Sequence, residues 1–268
     1  AIFPDDQHIA SLNHETGSIT FFHIDYEKGL YKYNGITCPL TDTNFPTVDP
    51  QNPLELTQKE AQLMDVLAAS FAHSEALQRH VRFLYSSGSM YLNLLFHGCI
   101  PMNEDGSFER VEVDGEKYAG RALLDRLERA AREAYFLPKD HPDKQKNVDK
   151  MWLLWCSAQS PLFGKSRMSA FERYFTKEKA LHEEVYNSYY RLSADSHVCE
   201  QILKEFGVDP VHGHIINGHV PVRQKDGENP VKADGKLYVI DGGLSKAYQA
   251  KTGIAGYTLI FNSHYLAL

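Results

Sequence analysis

Stretches whose apolar residues recur at helical spacing alternate along the chain with short unbroken apolar runs, a pattern that predicts helices interleaved with strands. The first strands fall at 18–22 and at Leu30–Tyr33, bounded by Gly17, Gly29 and Gly35, and Pro46, Pro50 and Pro53 close that region. Thr57-Gln58-Lys59-Glu60 then has the form of a capping box, in which the threonine side chain and the glutamate carboxylate each accept from an otherwise unpaired backbone N–H. It opens a long helix carrying Leu63, Val66, Leu67, Phe71, Leu77, Val81 and Leu84 at helical spacing and ending at Gly88. An apolar strand follows over 93–100, then a turn-rich loop over 101–106. Leu123, Leu124, Leu127, Ala130, Ala131 and Ala134 predict another helix, 139–150 reads as a solvated lysine-rich stretch, and 151–156 as a buried strand. Residues 160–190 have no clean period and read as a long loop with short helices. Ser193 is expected to cap a helix that runs to Phe206 and stops at Gly207. Strands near 214–220, 236–241 and 256–262 complete the pattern, with no internal repeat.

Strands alternating with helices predict an α/β layered sandwich rather than a bundle or a barrel, with a β-rich segment over 1–50 and a larger body over 51–268. The closing strands should be antiparallel or mixed, because 221–235 offers no helix for a parallel crossover.

Composition narrows the class of function. With 268 residues, 43% hydrophobic and 24% charged, the chain can bury a sizeable core, and a formal charge of −7 argues against general binding to nucleic acid or a membrane surface. No run approaches the roughly 18 apolar residues that span a bilayer. Cys38, Cys99, Cys156 and Cys199 stand far apart, with neither a zinc-ribbon nor a disulfide spacing, and fit a reducing, cytoplasmic setting. The first residue is Ala1 rather than methionine, which leads us to expect a processed or partial chain.

Two segments carry the chemistry. Leu94-Leu95-Phe96-His97-Gly98 and Ile215-Ile216-Asn217-Gly218-His219 each run an apolar strand into a glycine-flanked histidine, the way a buried sheet delivers a metal ligand at its edge. A lone histidine of this kind is ordinarily a core residue bonded to a backbone carbonyl, but two in matching positions favour ligands. Imidazole suits Mn, Fe, Co and Zn alike. His212 and His214 compete less well, one lying in a turn and the other inside the strand.

Asp241-Gly242-Gly243 ends a strand where backbone N–H groups can form an anion nest, with Lys246, Tyr248 and Lys251 just beyond, though the same tripeptide also makes an ordinary turn. Gly164-Lys165-Ser166-Arg167 resembles the tail of a phosphate-binding loop but lacks the earlier glycine at the required spacing. Its cations can still hold phosphate. Glu104 and Asp105 lie in a turn, where acids mostly face water.

The string Leu95-Phe96-His97-Gly98-Cys99-Ile100-Pro101 resembles the strand-His-Gly-loop segment of calcineurin-like metallophosphatases, and Ile216-Asn217-Gly218-His219 resembles their last metal-ligand histidine. Asp42 through Thr47, His97 through Phe108, Ser160 through Lys165, Phe171 through Phe175, Gly213 through Val222 and Ile240 through Gly243 are similar to the class III, Firmicutes-type fructose-1,6-bisphosphatases. That resemblance implies a layered αββα sandwich and a two-metal, Mn2+-dependent phosphatase that removes the 1-phosphate of fructose 1,6-bisphosphate in gluconeogenesis. His97 and His219 would be metal ligands; Lys165, Arg167 and Arg173 would stabilise the transferring phosphoryl group; and Asp241, Gly242, Gly243 and Lys246 would lie near the sugar phosphate. It further implies phosphoenolpyruvate or AMP effectors and a homo-oligomer. The superfamily's Asp-x-His, Gly-Asp and Gly-Asn-His blocks do not occur before His97. The chain is therefore expected to be the C-terminal half of such an enzyme, weak in metal binding and nearly inactive without the N-terminal half. Two other readings fit the same residues: a non-catalytic sugar-phosphate-binding module, and a phosphoprotein phosphatase.

Overall fold

The structure is a computed structural model that describes residues 10–12, 19–21, 24–33, 35–52, 55–86, 93–262 and 264–268. In chain order its early elements are β1 (Ala10–Leu12), β2 (Ile19–Phe21), β3 (Ile24–Asp25), β4 (Leu30–Tyr33), β5 (Ile36–Pro39), α1 (Gln58–Ala72) and α2 (Glu75–Ser86). The middle of the chain holds β6 (Asn93–Leu95), β7 (Val111–Val113), β8 (Glu116–Tyr118), α3 (Gly120–Phe136), α4 (Lys144–Cys156), α5 (Ala170–Phe175), α6 (Tyr189–Leu192) and α7 (Ser196–Glu205). After these come β9 (His214–Asn217), β10 (Val231–Lys232), β11 (Leu237–Val239), α8 (Lys246–Thr252), β12 (Ile260–Phe261) and β13 (Leu266–Ala267). No described helix is long and apolar enough to cross a membrane.

Two compact units divide the chain: Ala1–Gly88 with Ser169–Glu183, and Ser89–Met168 with Glu184–Leu268. In the first, β3, β4 and β5 form an antiparallel sheet over a core of Tyr31, Cys38, Leu40 and Leu181. The fully buried Glu172 of α5 belongs to this unit because the Tyr31 hydroxyl donates to its Oε1 at 2.8 Å. The capping box forms as expected, with the Glu60 N–H donating to Thr57 Oγ1 at 3.3 Å and the Thr57 N–H to Glu60 Oε2 at 2.8 Å.

The single long helix expected after it is instead two. His73 closes α1, and Ser74 accepts the Leu77 N–H at 3.3 Å on its side chain and the Gln78 N–H at 3.0 Å on its carbonyl, so a new helix starts there. Nor does α1 bury its apolar residues: Leu63, Val66, Leu67 and Phe71 are all exposed. Gly17, Ser18, Phe22, Pro53 and Gly88, and the side chains of Val81 and Leu84, lie outside the described residues.

The second unit is built on a four-stranded mixed sheet in the order β10-β11-β9-β6. Here β6, β9 and β11 run parallel, while β10 is antiparallel to β11. The absence of a helix over 221–235 did not prevent a parallel connection from β9 to β11. Short 3-10 turns at Gln224–Asp226 and Ala233–Gly235, with β10 between them, carry the chain across. Cys199, Ile202 and Leu203 of α7 pack with Ile215, Leu237 and Val239 of the sheet in the main core, which also takes Ile100, Met102 and Tyr189. Asp195, rather than Ser193, caps α7 by accepting the His197 N–H at 2.8 Å; Ser193 instead closes α6.

The buried strand expected over 151–156 is the end of α4, whose inward residues Asn147, Lys150 and Leu154 follow helical spacing. With α3, which buries Leu123, Leu127 and Ala130, α4 packs beside the β7–β8 hairpin, Leu154 joining Leu123, Leu127, Val111 and Val113 in a second small core. The hairpin turn Asp114-Gly115 takes positive φ at both residues, 58° and 85°, as a tight type I′ turn requires. Asp114 receives Lys146 at 2.8 Å, Lys150 at 3.0 Å and Arg126. The lysine at 150 is thus buried because it is paired. The apolar stretch expected as a strand over 93–100 is extended only over β6, and 256–262 contributes only β12, paired with β13 outside the main sheet.

Candidate metal centre

In an open sheet of parallel strands, backbone groups and loop residues converge at the carboxyl ends of the strands, where ligands bind. Strands β6, β9 and β11 end at Leu95, Asn217 and Val239, and His97, His219 and Asp241 each stand two positions farther on. Pairing continues past the formal strand ends: the Phe96 N–H donates to the Ile216 carbonyl at 3.2 Å and the Gly218 N–H to the His97 carbonyl at 2.9 Å. The two imidazoles therefore arrive side by side, with His97 Nε2 and His219 Nδ1 3.1 Å apart.

The two turns reach that position differently. Gly98 is buried, and a Cβ built on it would stand 2.6 Å from the Pro161 carbonyl oxygen, so no other residue fits without displacing backbone. That crowding is fixed by the Cys99 N–H, which donates to the same carbonyl at 2.9 Å. Gly164 completes the interlock from the opposite segment, at φ +58° with Cys99 Sγ 2.5 Å from where its Cβ would be. At Gly218 a Cβ would meet Asp241 no closer than 3.4 Å, an ordinary contact. There the unusual backbone belongs to the histidine, whose φ is +65°. A left-handed non-glycine residue costs energy and is maintained only where its surroundings impose it.

The donor set fits a divalent ion. Two nitrogens at about 2.1 Å from one ion, on neighbouring coordination positions, lie about 3 Å apart. In the metal-free protein the same separation suits a ring-to-ring hydrogen bond. His219 Nε2, on the far side of its ring, is buried. Burial pushes the His219 pKa down, and charges on His97 and Lys165 act the same way; the Phe163 backbone and the Asp241 carboxylate oppose them without reversing the sign. A neutral imidazole is the form that binds metal. Among the described residues no cluster of three or more His, Cys, Asp or Glu side chains forms a complete metal site.

Lys165 lies half-buried beside this pair. Its Nζ is 3.3 Å from Glu184 Oε2 and 5.6 and 5.3 Å from the ring centroids of Phe163 and Tyr186, while the Phe163 ring itself lies against His219. Arg167 is half-buried in the same segment. Arg173 belongs to the other unit, where its guanidinium donates to Ser169 Oγ at 2.9 Å and to the His182 carbonyl at 2.5 Å. In the Asp241-Gly242-Gly243 turn, the Gly243 N–H donates to Asp241 Oδ1 at 2.8 Å, so part of the expected nest is already engaged by its own carboxylate. Lys246 is exposed at the start of α8. Of the competing histidines, His212 pairs with Asp209 at 2.8 Å in a turn and His214 opens β9, as their positions predicted.

Asn217, and Glu184 beside Lys165, were not marked by the sequence as site residues. The first had a visible signal, a carboxamide at the end of an otherwise apolar strand, which must find partners when buried. Glu184 comes from a stretch with no period to mark it.

Residues 13–268 match the family described as Firmicute fructose-1,6-bisphosphatase. Fructose-1,6-bisphosphatase class 3 of Clostridium novyi (strain NT) is 53% identical over 249 residues, covering 91% of this chain and 37% of that protein. The protein of the same name from Fusobacterium nucleatum is 52% identical over 250 residues, 92% of this chain and 39% of its own length. One from Clostridium beijerinckii, fructose-1,6-bisphosphatase class 3 1, reaches 55% over 249 residues. The chain thus spans little more than a third of the length of the curated relatives it matches. No solved structure matches it significantly. On the extent of these matches, the chain belongs to the Firmicute fructose-1,6-bisphosphatase family.

Proposed function

We propose that this chain forms part of an enzyme that hydrolyses the 1-phosphate of fructose 1,6-bisphosphate, and that His97 and His219 hold a divalent ion in it. The observation that carries the reading is the 3.1 Å approach of two imidazoles from the ends of neighbouring parallel strands, in a chain whose relatives bear the fructose-1,6-bisphosphatase name. A divalent ion, when bound, supplies Lewis-acid polarisation of a phosphoryl oxygen and acidifies water. The chain's own residues have complementary tasks. His97 and His219 bind, each through the nitrogen that faces the other ring. Lys165 places a positive charge beside them, and the Phe163 and Tyr186 rings limit solvent around its ammonium group, which strengthens its attraction for a phosphoryl oxygen. Arg167 and Arg173 are the further candidates for phosphoryl contact. Asp241, Gly242, Gly243 and Lys246 are the candidates for holding the sugar phosphate. In that role the Asp241 carboxylate would have to exchange its hydrogen bond from Gly243.

Two histidines do not neutralise two divalent ions, so the bridging carboxylates must come from elsewhere in the intact protein, which then completes the layered αββα sandwich. Mn2+ is the ion we expect, with regulation by phosphoenolpyruvate or AMP, a homo-oligomeric assembly and a cytoplasmic setting. The division into regions 1–50 and 51–268 belongs to the same proposal and is open to limited proteolysis. The function is tested by phosphate release from fructose 1,6-bisphosphate by the intact protein, with and without Mn2+ and after EDTA. Release that needs the metal and fails in His97→Ala supports the reading. Release unaffected by EDTA, or turnover of phosphopeptides in preference to the sugar phosphate, overturns it.

A further inference from the structure

We infer that Asn217 is a positioning residue for the His97–His219 pair: its side-chain amide holds the carbonyl of Gly98, the residue directly after His97, from the strand that delivers His219. The inference rests on the reading of that pair as a metal centre.

Asn217 ends β9, directly after Ile215 and Ile216, and is itself only 4% exposed. An apolar residue would be the cheaper occupant of such a position, since burying a carboxamide is unfavourable unless its polar atoms are hydrogen-bonded. Its Nδ2 donates to the Gly98 carbonyl at 3.1 Å and to the Tyr189 hydroxyl at 2.7 Å, whereas Oδ1 is buried with no hydrogen-bond partner. Half of the amide's hydrogen-bonding capacity is thus left unsatisfied, a poor arrangement if its purpose were stability alone.

What the amide does accomplish is local. The His97 carbonyl accepts the Gly218 N–H at 2.9 Å, and the next carbonyl, that of Gly98, accepts from the Asn217 side chain. The carbonyls of two successive peptides, His97–Gly98 and Gly98–Cys99, are therefore held from residues 218 and 217, the two that immediately precede His219. The Asn217 carbonyl in turn accepts the Ile240 N–H at 2.9 Å, which secures the clamp to the strand end that leads to Asp241. Main-chain pairing alone would fix one carbonyl and leave the other, buried, without a donor. With Asn217 in place the Gly98–Cys99 peptide is held at its carbonyl as well as at its N–H, which donates to the Pro161 carbonyl, and the backbone that carries the His97 ring keeps its bearing on His219.

The test is titration of Mn2+ into the intact protein, followed by electron paramagnetic resonance, with near-UV circular dichroism and thermal unfolding on the same samples. Wild type should bind and His97→Ala should not. Asn217→Ala should weaken Mn2+ binding about 10- to 100-fold, the usual cost of an outer-sphere partner, and alter the line shape of the bound ion. Tyr189→Phe removes the amide's other partner but not the clamp; it should lower the unfolding midpoint while leaving affinity and line shape unchanged. If the alanine variant does not fold, Asn217→Asp keeps the volume and can accept the Tyr189 hydroxyl proton while losing the N–H aimed at Gly98, and the same loss is expected. Wild-type affinity and line shape in the Asn217 variants would overturn the inference, as would an equal affinity loss in Tyr189→Phe. Absence of binding in wild type, or undiminished binding in His97→Ala, would instead overturn the metal-centre reading and the inference with it.

Discussion

The His97 turn and the His219 turn resemble each other in composition and differ in how they are held. In the first, the glycine follows the histidine and absorbs the crowding, because Gly98 lies against the Pro161 carbonyl with no room for a Cβ. In the second, the glycine precedes the histidine and has room to spare, while His219 itself takes the left-handed backbone. One ring is placed by close packing of main chain on main chain, the other by a local conformation that the side chain must maintain. The same two residue types in opposite order are thus two different ways to turn an imidazole onto a shared point beyond a sheet edge.

The largest effect that can break this comparison comes from the rings themselves. His97→Ala and His219→Ala should each reduce metal affinity of the intact protein by more than about 100-fold, beyond what loss of an outer-sphere partner costs, as measured by equilibrium dialysis. A variant that keeps its affinity would show that its turn does not serve the centre. The glycines come next. Gly98→Ala should destabilise by roughly 1–3 kcal/mol, because the added methyl must displace backbone, whereas Gly218→Ala should cost less than about 1 kcal/mol. Urea unfolding midpoints decide this, and equal costs at both positions would erase the distinction.

A smaller effect separates the turns from the helices α3 and α4. Burial would raise the Asp114 pKa, but hydrogen bonds from Lys146 and Lys150, with the charges of Lys150 and Arg126, hold it down at about 2 from an ordinary 3.8. A carboxylate depressed in the folded state contributes stability that is complete above 3.8 and is lost as pH falls toward 2. Asp114→Asn should therefore lower stability at neutral pH and flatten the acid dependence between pH 4 and 2. An unchanged acid slope in chemical denaturation would contradict the assignment. Smallest of all, Val66→Ser on the exposed stripe of α1 should change stability by less than about 0.5 kcal/mol; a larger loss would show that this face is covered in the intact protein.

The convergence of the two histidines could be anticipated because each follows a short apolar run and stands beside a glycine, although Leu95 of β6 is exposed rather than buried as such a run suggests. The end of α4 could not. Met151-Trp152-Leu153-Leu154-Trp155-Cys156 is apolar throughout, so it has no period to distinguish helix from strand. What settles it is that Asn147 and Lys150 face inward, and the buried lysine finds its counter-charge in Asp114, more than thirty positions away. The break between α1 and α2 contains neither glycine nor proline; its signal was the capping side chain of Ser74. The hydrogen bonds from the Arg173 guanidinium to Ser169 Oγ and to the His182 carbonyl had no signal in the sequence. Residue type and charge do not reveal which groups a cation already contacts. The exposure of Leu63, Val66, Leu67 and Phe71 has a similar lesson, since helical spacing of apolar residues predicts a helix and not what the helix packs against.

The most direct measurement is anomalous diffraction at the manganese edge from crystals of the intact protein grown with Mn2+. The expected result is one anomalous peak within coordination distance of both His97 Nε2 and His219 Nδ1. Peaks that touch only one of these nitrogens, or neither, would contradict the claim that the two strand-end imidazoles form a single divalent-cation centre.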